Sequence, residues 1–226
     1  MKNKIAVWNI ITRCNQACKY CFGPECDSEK DISTVEAKNK IDNFKIQGFE
    51  KIVFTGGEPL LRSDILVLIK YAKQKDLFTI LHTNGLLVTR DFIDKVGEYL
   101  DQINLPLDGF NEETNDILRT KGHFQKVILC LQMLKNIDIR IIISTVVLRD
   151  NVGEIERIGD VLPNWIDKWR VFQVKDVGER WAVMDKKFNN LSKVLRDKDY
   201  NFQVQLINNQ SDFYKTYNYI NKCASE

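Results

Sequence analysis

The 226-residue chain has no excess of one charge, no long apolar run and no tract of low complexity. Lysine and arginine total 33 against 31 aspartate and glutamate, with like charges dispersed, so there is no basic stripe of the kind nucleic-acid binding needs. The opening segment Met1-Lys-Asn-Lys-Ile-Ala-Val-Trp-Asn-Ile-Ile is broken by Asn9 and ends at Thr12 and Arg13, too short for a signal-peptide core or a membrane span. A cytoplasmic protein without a membrane partner is the expectation. Cysteine is scarce as well, and three of the six fall within eight residues. That spacing suits a metal centre in a reducing compartment better than a disulfide framework. No stretch reads as a linker, and with 44% hydrophobic residues the length suits a single catalytic domain with a sizeable core.

What is there is a regular alternation. Apolar, β-rich runs at Lys4–Ile11, Lys51–Thr55, Phe78–Thr83, Gln102–Leu107, Arg140–Leu148 and Trp169–Val174 predict six strands. Helical spacing fills the intervals Thr34–Gln47, Ser63–Gln74, Thr89–Tyr99, Glu112–Leu134 with a break at Gly122, and Val152–Leu162. Strands such as Lys51-Ile-Val-Phe-Thr are nearly continuous apolar runs, as parallel strands covered on both faces require. Right-handed βα repeats follow. A complete eight-stranded barrel takes roughly 250 residues, so the expectation is an α/β fold with a partial (β/α)6 TIM-like barrel over residues 1–178. Residues 179–226 then form a small C-terminal extension packed on that core: a helix, a strand at Gln203–Ile207 and a last helix over Asp212–Lys222.

The segment Thr12-Arg-Cys-Asn-Gln-Ala-Cys-Lys-Tyr-Cys-Phe places Cys14, Cys18 and Cys21 immediately after the first strand. In a parallel βα barrel that loop opens at the carboxyl ends of the strands, where such folds carry their sites. Three close thiolates bind iron or zinc. With Cys26 as a fourth ligand the centre is closed and structural; without it, one metal position stays open for a ligand. Spacing alone leaves both possibilities standing.

The triad with Tyr20 before its third cysteine resembles the motif of the radical S-adenosylmethionine (SAM) superfamily, and further segments match in order. Gly56, Gly57, Glu58 and Pro59 after the second strand resemble the motif that contacts the cofactor's amino group. Thr83 and Asn84 after the third strand fall at a cofactor-contacting position, and Leu107-Asp-Gly109 follows the fourth, with Asp108 either a contact to cofactor or substrate or a turn former. Arg119 sits where relatives pair a basic side chain with the cofactor carboxylate. Ser144 on the fifth strand and Phe172 and Gln173 on the sixth match polar and adenine-packing positions. The resemblance covers Lys4 to Gln173. It implies a 4Fe-4S cluster on Cys14, Cys18 and Cys21 and SAM on the fourth iron. One electron from a donor such as flavodoxin or ferredoxin then cleaves SAM, and the 5′-deoxyadenosyl radical abstracts hydrogen from a small-molecule or peptide substrate. Lys168-Trp-Arg-Val-Phe-Gln173 is similar to the viperin-like subgroup, which acts on nucleotides, although the lysine that subgroup carries on the fifth strand is Ile142 here.

Other candidates divide between chemistry and packing. His82, at the end of the third strand, is a candidate proton donor or a hydrogen-bonded structural residue. His123 reads as part of a helix-initiating loop. Cys130 lies among apolar helix residues and reads as core. Cys223 and Cys26 are too few for an auxiliary cluster. The pairs Trp165 with Trp169 and Tyr214 with Tyr217 read as packing.

Overall fold

The structure, a computed structural model, describes residues 4–21, 31–174, 181–208, 211 and, for the backbone alone, 217–220. The apolar runs form strands β1 (Ile5–Ile11), β2 (Lys51–Gly56), β3 (Phe78–His82), β4 (Gln102–Pro106), β5 (Arg140–Val147) and β6 (Lys168–Gln173). Between them lie helices α1 (Thr34–Ile46), α2 (Ile65–Gln74), α3 (Arg90–Val96), α4 (Glu112–Asp116), α5 (His123–Leu134) and α6 (Ile155–Val161). The break between α4 and α5 falls where Gly122 was expected to impose it, and that glycine has a φ of +80°. Helix α1 begins with a capping box, in which Ser33 and Glu36 satisfy each other's backbone N–H groups.

Past β6 come α7 (Asp185–Asp197) and β7 (Gln203–Ile207), as expected, but the last described element differs. The helix predicted over 212–222 is overturned at residues 217–220, which form strand β8 (Tyr217–Ile220) parallel to β1. The aromatic spacing that suggested a helix serves equally well in a strand, where Tyr is favoured. The rest of that predicted helix, the Tyr214–Tyr217 pair, and Cys26, Cys223 and Gly178 lie outside the described residues.

All neighbouring strands are parallel, in the order β7-β6-β5-β4-β3-β2-β1-β8. This is the order of a TIM barrel opened between β7 and β8. Chain length shows that the sheet curls. From Ile207 to Tyr217 the backbone takes ten Cα–Cα steps, a reach of roughly 35 Å. A flat sheet of eight strands would set its outer strands about 34 Å apart, and the chain must also return from the end of β7 to the start of β8.

One face of the sheet meets the helices and holds the main core, with Trp8, Phe54, Leu81, Leu105, Ile143 and Trp169 buried against α1 to α7. The opposite, concave face carries the alternate residues. A small apolar floor of Val7, Val53 and Ile80 lies there, and polar side chains occupy the β3–β7 side. Among the described residues, no helix is long and apolar enough to cross a membrane.

Candidate active site

The loop after β1 takes its shape from its neighbours. Gly57 N–H donates to the Ile11 carbonyl and Glu58 N–H to the Arg13 carbonyl, both at 2.8 Å, so the chain leaving β2 lies against the chain leaving β1. Contact this close requires glycine. A Cβ at Gly57 would lie 2.1 Å from the Arg13 oxygen, and one at Gly56, whose φ is +128°, would lie 2.2 Å from the Ile11 oxygen. The far side of the loop is tied by Lys19 N–H to the Leu118 carbonyl at 3.3 Å, and Cys21 N–H closes a turn on the Cys18 carbonyl at 3.1 Å.

Glu58 is fully buried, and its carboxylate accepts from Thr83 Oγ1 at 2.7 Å, Asn84 N–H at 2.7 Å and Leu60 N–H at 3.0 Å. Burial raises its pKa, and the three donors only partly offset this. The carboxylate thereby joins the loop after β2 to the loop after β3, with Pro59 opening the short turn behind it. Asn84 reaches back to the cysteine loop, its Nδ2 donating to Asn15 Oδ1 at 2.7 Å and lying 3.9 Å from Cys14 Sγ.

A second buried carboxylate organises the other side. Asp108 Oδ1 accepts from Val146 N–H at 2.8 Å, while Oδ2 accepts from Arg119 Nε at 2.6 Å and from the Tyr20 hydroxyl. Arg119 also lies over the Tyr20 ring and points Nη1 at Cys18 Sγ, 3.8 Å away. Tyr20 packs on the apolar cluster of Leu118, Leu148 and Val174. Burial raises the Tyr20 hydroxyl well above its ordinary range, with Asp108 adding to the shift.

Sequence reasoning missed three polar residues that hold this framework. His123, fully buried, sets Nε2 3.0 Å from the Asn84 carbonyl and Nδ1 2.9 Å from Asn115 Nδ2. Asn115 Oδ1 accepts from Asp108 N–H, and Asn151 Nδ2 donates to the Asp108 carbonyl. Burial, reinforced by Arg119, lowers His123 to about 4, so it is neutral, with Nε2–H donating and Nδ1 accepting. Its sequence reads as a helix-initiating loop, whereas it is the first residue of α5; the available signal is a His one residue after a helix-breaking Gly.

The three thiols lie exposed or half-exposed at the mouth. Burial of their inner parts raises the Cys14 and Cys18 thiols, neighbouring sulfurs and carboxylates add to this, and Arg119 opposes it at Cys18. Among the described residues, no three Cys, His, Asp or Glu side chains gather around one point. A single tetrahedral zinc would need sulfurs about 3.8 Å apart, given Zn–S bonds of about 2.3 Å, whereas a cubane takes each thiolate on a different iron. The donor set of three cysteines on one loop, beside a glycine-lined backbone, fits such a cluster.

The remaining predicted residues divide. Ser144 and Phe172 are half-buried on the concave face, Ser144 between Pro106 and Arg170 and Phe172 beside Val146 and Ile207 in the sheet register. Gln173 has the opposite parity. Like Trp169 and Val171 it turns to the helix side, and its Nε2 donates to Asp185 Oδ1 at 2.7 Å and to the Val183 carbonyl at 3.2 Å, fixing the start of α7. Deeper on the concave face, His82 Nε2 lies 2.9 Å from Asn104 Nδ2, and Arg170 Nε donates to Gln205 Oε1 at 3.2 Å. Burial and Arg170 lower His82 to about 3, and burial with Arg170 and Arg140 lowers Lys168. Cys130 is core, its thiol on the Gly85 carbonyl.

The chain is similar to several known proteins. The Fe-coproporphyrin III synthase of Methanosarcina barkeri is 34% identical over 165 residues, 71% of this chain and 41% of that protein. A SAM-dependent nucleotide dehydratase of Flammeovirga pacifica is 31% identical over 199 residues, covering 78% of this chain and 67% of that protein. The chain spans about half, or less, of the first curated relatives it matches. In fold it is similar to Streptococcus suis SuiB bound to SAM, with a TM-score of 0.77, 16% identity, and coverage of 94% of this chain and 52% of that one. Residues 8–162 match the model of the radical SAM superfamily, a family that uses a 4Fe-4S cluster and SAM, and the chain belongs to it.

Proposed function

We propose that this chain is a radical SAM enzyme in which Cys14, Cys18 and Cys21 hold the cluster, and whose substrate carries an anionic group. When bound, cluster and cofactor together supply radical abstraction of hydrogen from carbon. The protein's own part is to bind, orient and exclude water. Gly56, Gly57, Glu58 and Pro59, with Thr83 and Asn84, form the rim for the cofactor's amino end. Arg119, held by Asp108 and Tyr20, offers a cation to its carboxylate, and Ser144 and Phe172 face its nucleoside. Gln173 supports that wall from behind through α7.

The observation that carries the substrate reading is the like-charge group of Lys168, Arg170 and Arg140 beside neutral His82. Burial, reinforced by Arg170 and Arg140, lowers Lys168, and burial with Arg170 lowers His82, a conflict of like charges that an arriving carboxylate or phosphate relieves. Nucleotides fit this description, and one relative is described as a nucleotide dehydratase. A peptide is the second reading, favoured by the structural neighbours SuiB and anSMEcpe, which are described bound to peptides. A flavodoxin or ferredoxin is the proposed electron donor.

Anaerobic reconstitution tests the centre: about four irons per chain and a paramagnetic signal altered by SAM are expected, whereas one tightly held zinc closed by Cys26 would overturn it. Stimulation of 5′-deoxyadenosine release by nucleoside triphosphates, rather than by neutral nucleosides, tests the anionic substrate. Stimulation by peptides alone would favour the second reading.

A further inference from the structure

Resting on the assignment of Cys14, Cys18 and Cys21 as cluster ligands, we propose that the Asp108–Arg119 pair is an electrostatic regulator of the cluster. In this role Arg119 sets the potential at which the cluster takes its electron, independently of any contact with SAM.

Two cysteine sulfurs have an N–H donor reaching them from another loop: Cys14 from Asn84 Nδ2 at 3.9 Å and Cys18 from Arg119 Nη1 at 3.8 Å. The first donor is neutral and the second is a cation. Hydrogen bonds and charge at the ligating sulfurs are among the factors that fix the potential of an iron–sulfur cluster. Gaining one electron makes the cluster more negative without moving a proton, so a nearby cation stabilises the reduced form and raises the potential.

Arg119 is fixed in this position before any ligand arrives. Its Nε is held at 2.6 Å by Asp108, which is itself fully buried and anchored to Val146 N–H. Tyr20, one residue from Cys21, supplies both the ring beneath the guanidinium and a hydroxyl to the same Asp108 oxygen. The Lys19 N–H bond to Leu118 joins the cysteine loop to the segment that carries Arg119. Burial works against the guanidinium's charge, and Asp108, Tyr20 and Cys18 outweigh it, so Arg119 remains cationic. The pair therefore acts as an oriented dipole, positive end toward Cys18 and negative end toward β5. Among the described residues Nη2 makes no hydrogen bond, so the carboxylate of SAM can be received by the same side chain.

The dipole makes a prediction of opposite signs. Redox titration of the reconstituted cluster without SAM, followed by paramagnetic resonance, should show a lower midpoint potential in Arg119→Gln than in the native protein. Arg119→Lys should recover most of the difference, and Asp108→Asn, which removes the opposing charge, should shift the potential upward. Equal potentials in Arg119→Gln and the native protein, with only SAM affinity reduced, would overturn the proposal and leave Arg119 as a carboxylate clamp. If Arg119→Gln does not assemble a cluster, Asp108→Asn and Arg119→Lys decide: an unshifted or lowered potential in Asp108→Asn overturns it. Failure of the native chain to assemble four irons would instead remove the ligand assignment beneath it, and the iron count separates the two failures.

Discussion

The two sides of the barrel mouth are built differently. On the β1–β4 side, two buried carboxylates, Glu58 and Asp108, together receive six hydrogen bonds, three each, and backbone meets backbone across glycines. On the β5–β7 side, the concave face presents long side chains, Lys168, Arg170 and Gln205, of which Arg170 Nε donates to Gln205 Oε1. A site that must hold one cofactor in one geometry is served by rigid, buried, fully satisfied groups. A site that chooses a substrate is served by side chains that can change singly without disturbing the frame.

Substitution should expose this asymmetry, most severely at the cluster. Cys14→Ala, Cys18→Ala and Cys21→Ala should each abolish both the visible absorbance of the reconstituted cluster and SAM cleavage, while Cys26→Ala retains both. Next in size, Gly57→Ala forces a methyl group into the Arg13 carbonyl. It should cost about 1–3 kcal/mol in thermal or denaturant unfolding and displace the cysteine loop, lowering iron content. A comparable change on the other side, Lys168→Met, should leave stability and iron content unchanged and raise KM for an anionic substrate roughly tenfold, about 1.4 kcal/mol. Equal losses of stability on the two sides would erase the distinction.

The frame should also be sensitive to acid. His123 is neutral in the folded chain, with its pKa lowered from 6.5 to about 4. Between those values the unfolded chain binds the extra proton and the folded chain does not, so stability is fully present above pH 6.5 and falls as pH drops toward 4. Denaturant midpoints measured from pH 7 to pH 4 should fall in the native protein and fall less in His123→Gln.

The rigid side was the more legible in sequence. Continuous apolar runs fixed the strands, and cysteine triad, Gly-Gly-Glu-Pro and Thr-Asn-Gly each followed successive strands. Position along a strand does not reveal which face a side chain takes unless parity is counted. Trp169 and Val171 in the core place Gln173 with them, and that count separates Gln173 from Phe172. Asn115 and Asn151 escape notice, and His123 reads only as part of a loop, because they bind backbone groups and other amides, pairings that leave no spacing pattern. The final strand was read as a helix because its Tyr-rich sequence suits both, and only pairing with β1, 212 positions away at Ile5↔Tyr217, decides between them.

That pairing bears on how the protein is made. Strand β1 is synthesised 212 positions ahead of its partner β8, so its outer edge presents an unpaired row of N–H and C=O groups until β8 emerges. Long-range closure of this kind is slow relative to local βα assembly. The nascent barrel is therefore most exposed to misassociation beside the very strand that leads into the cysteine loop.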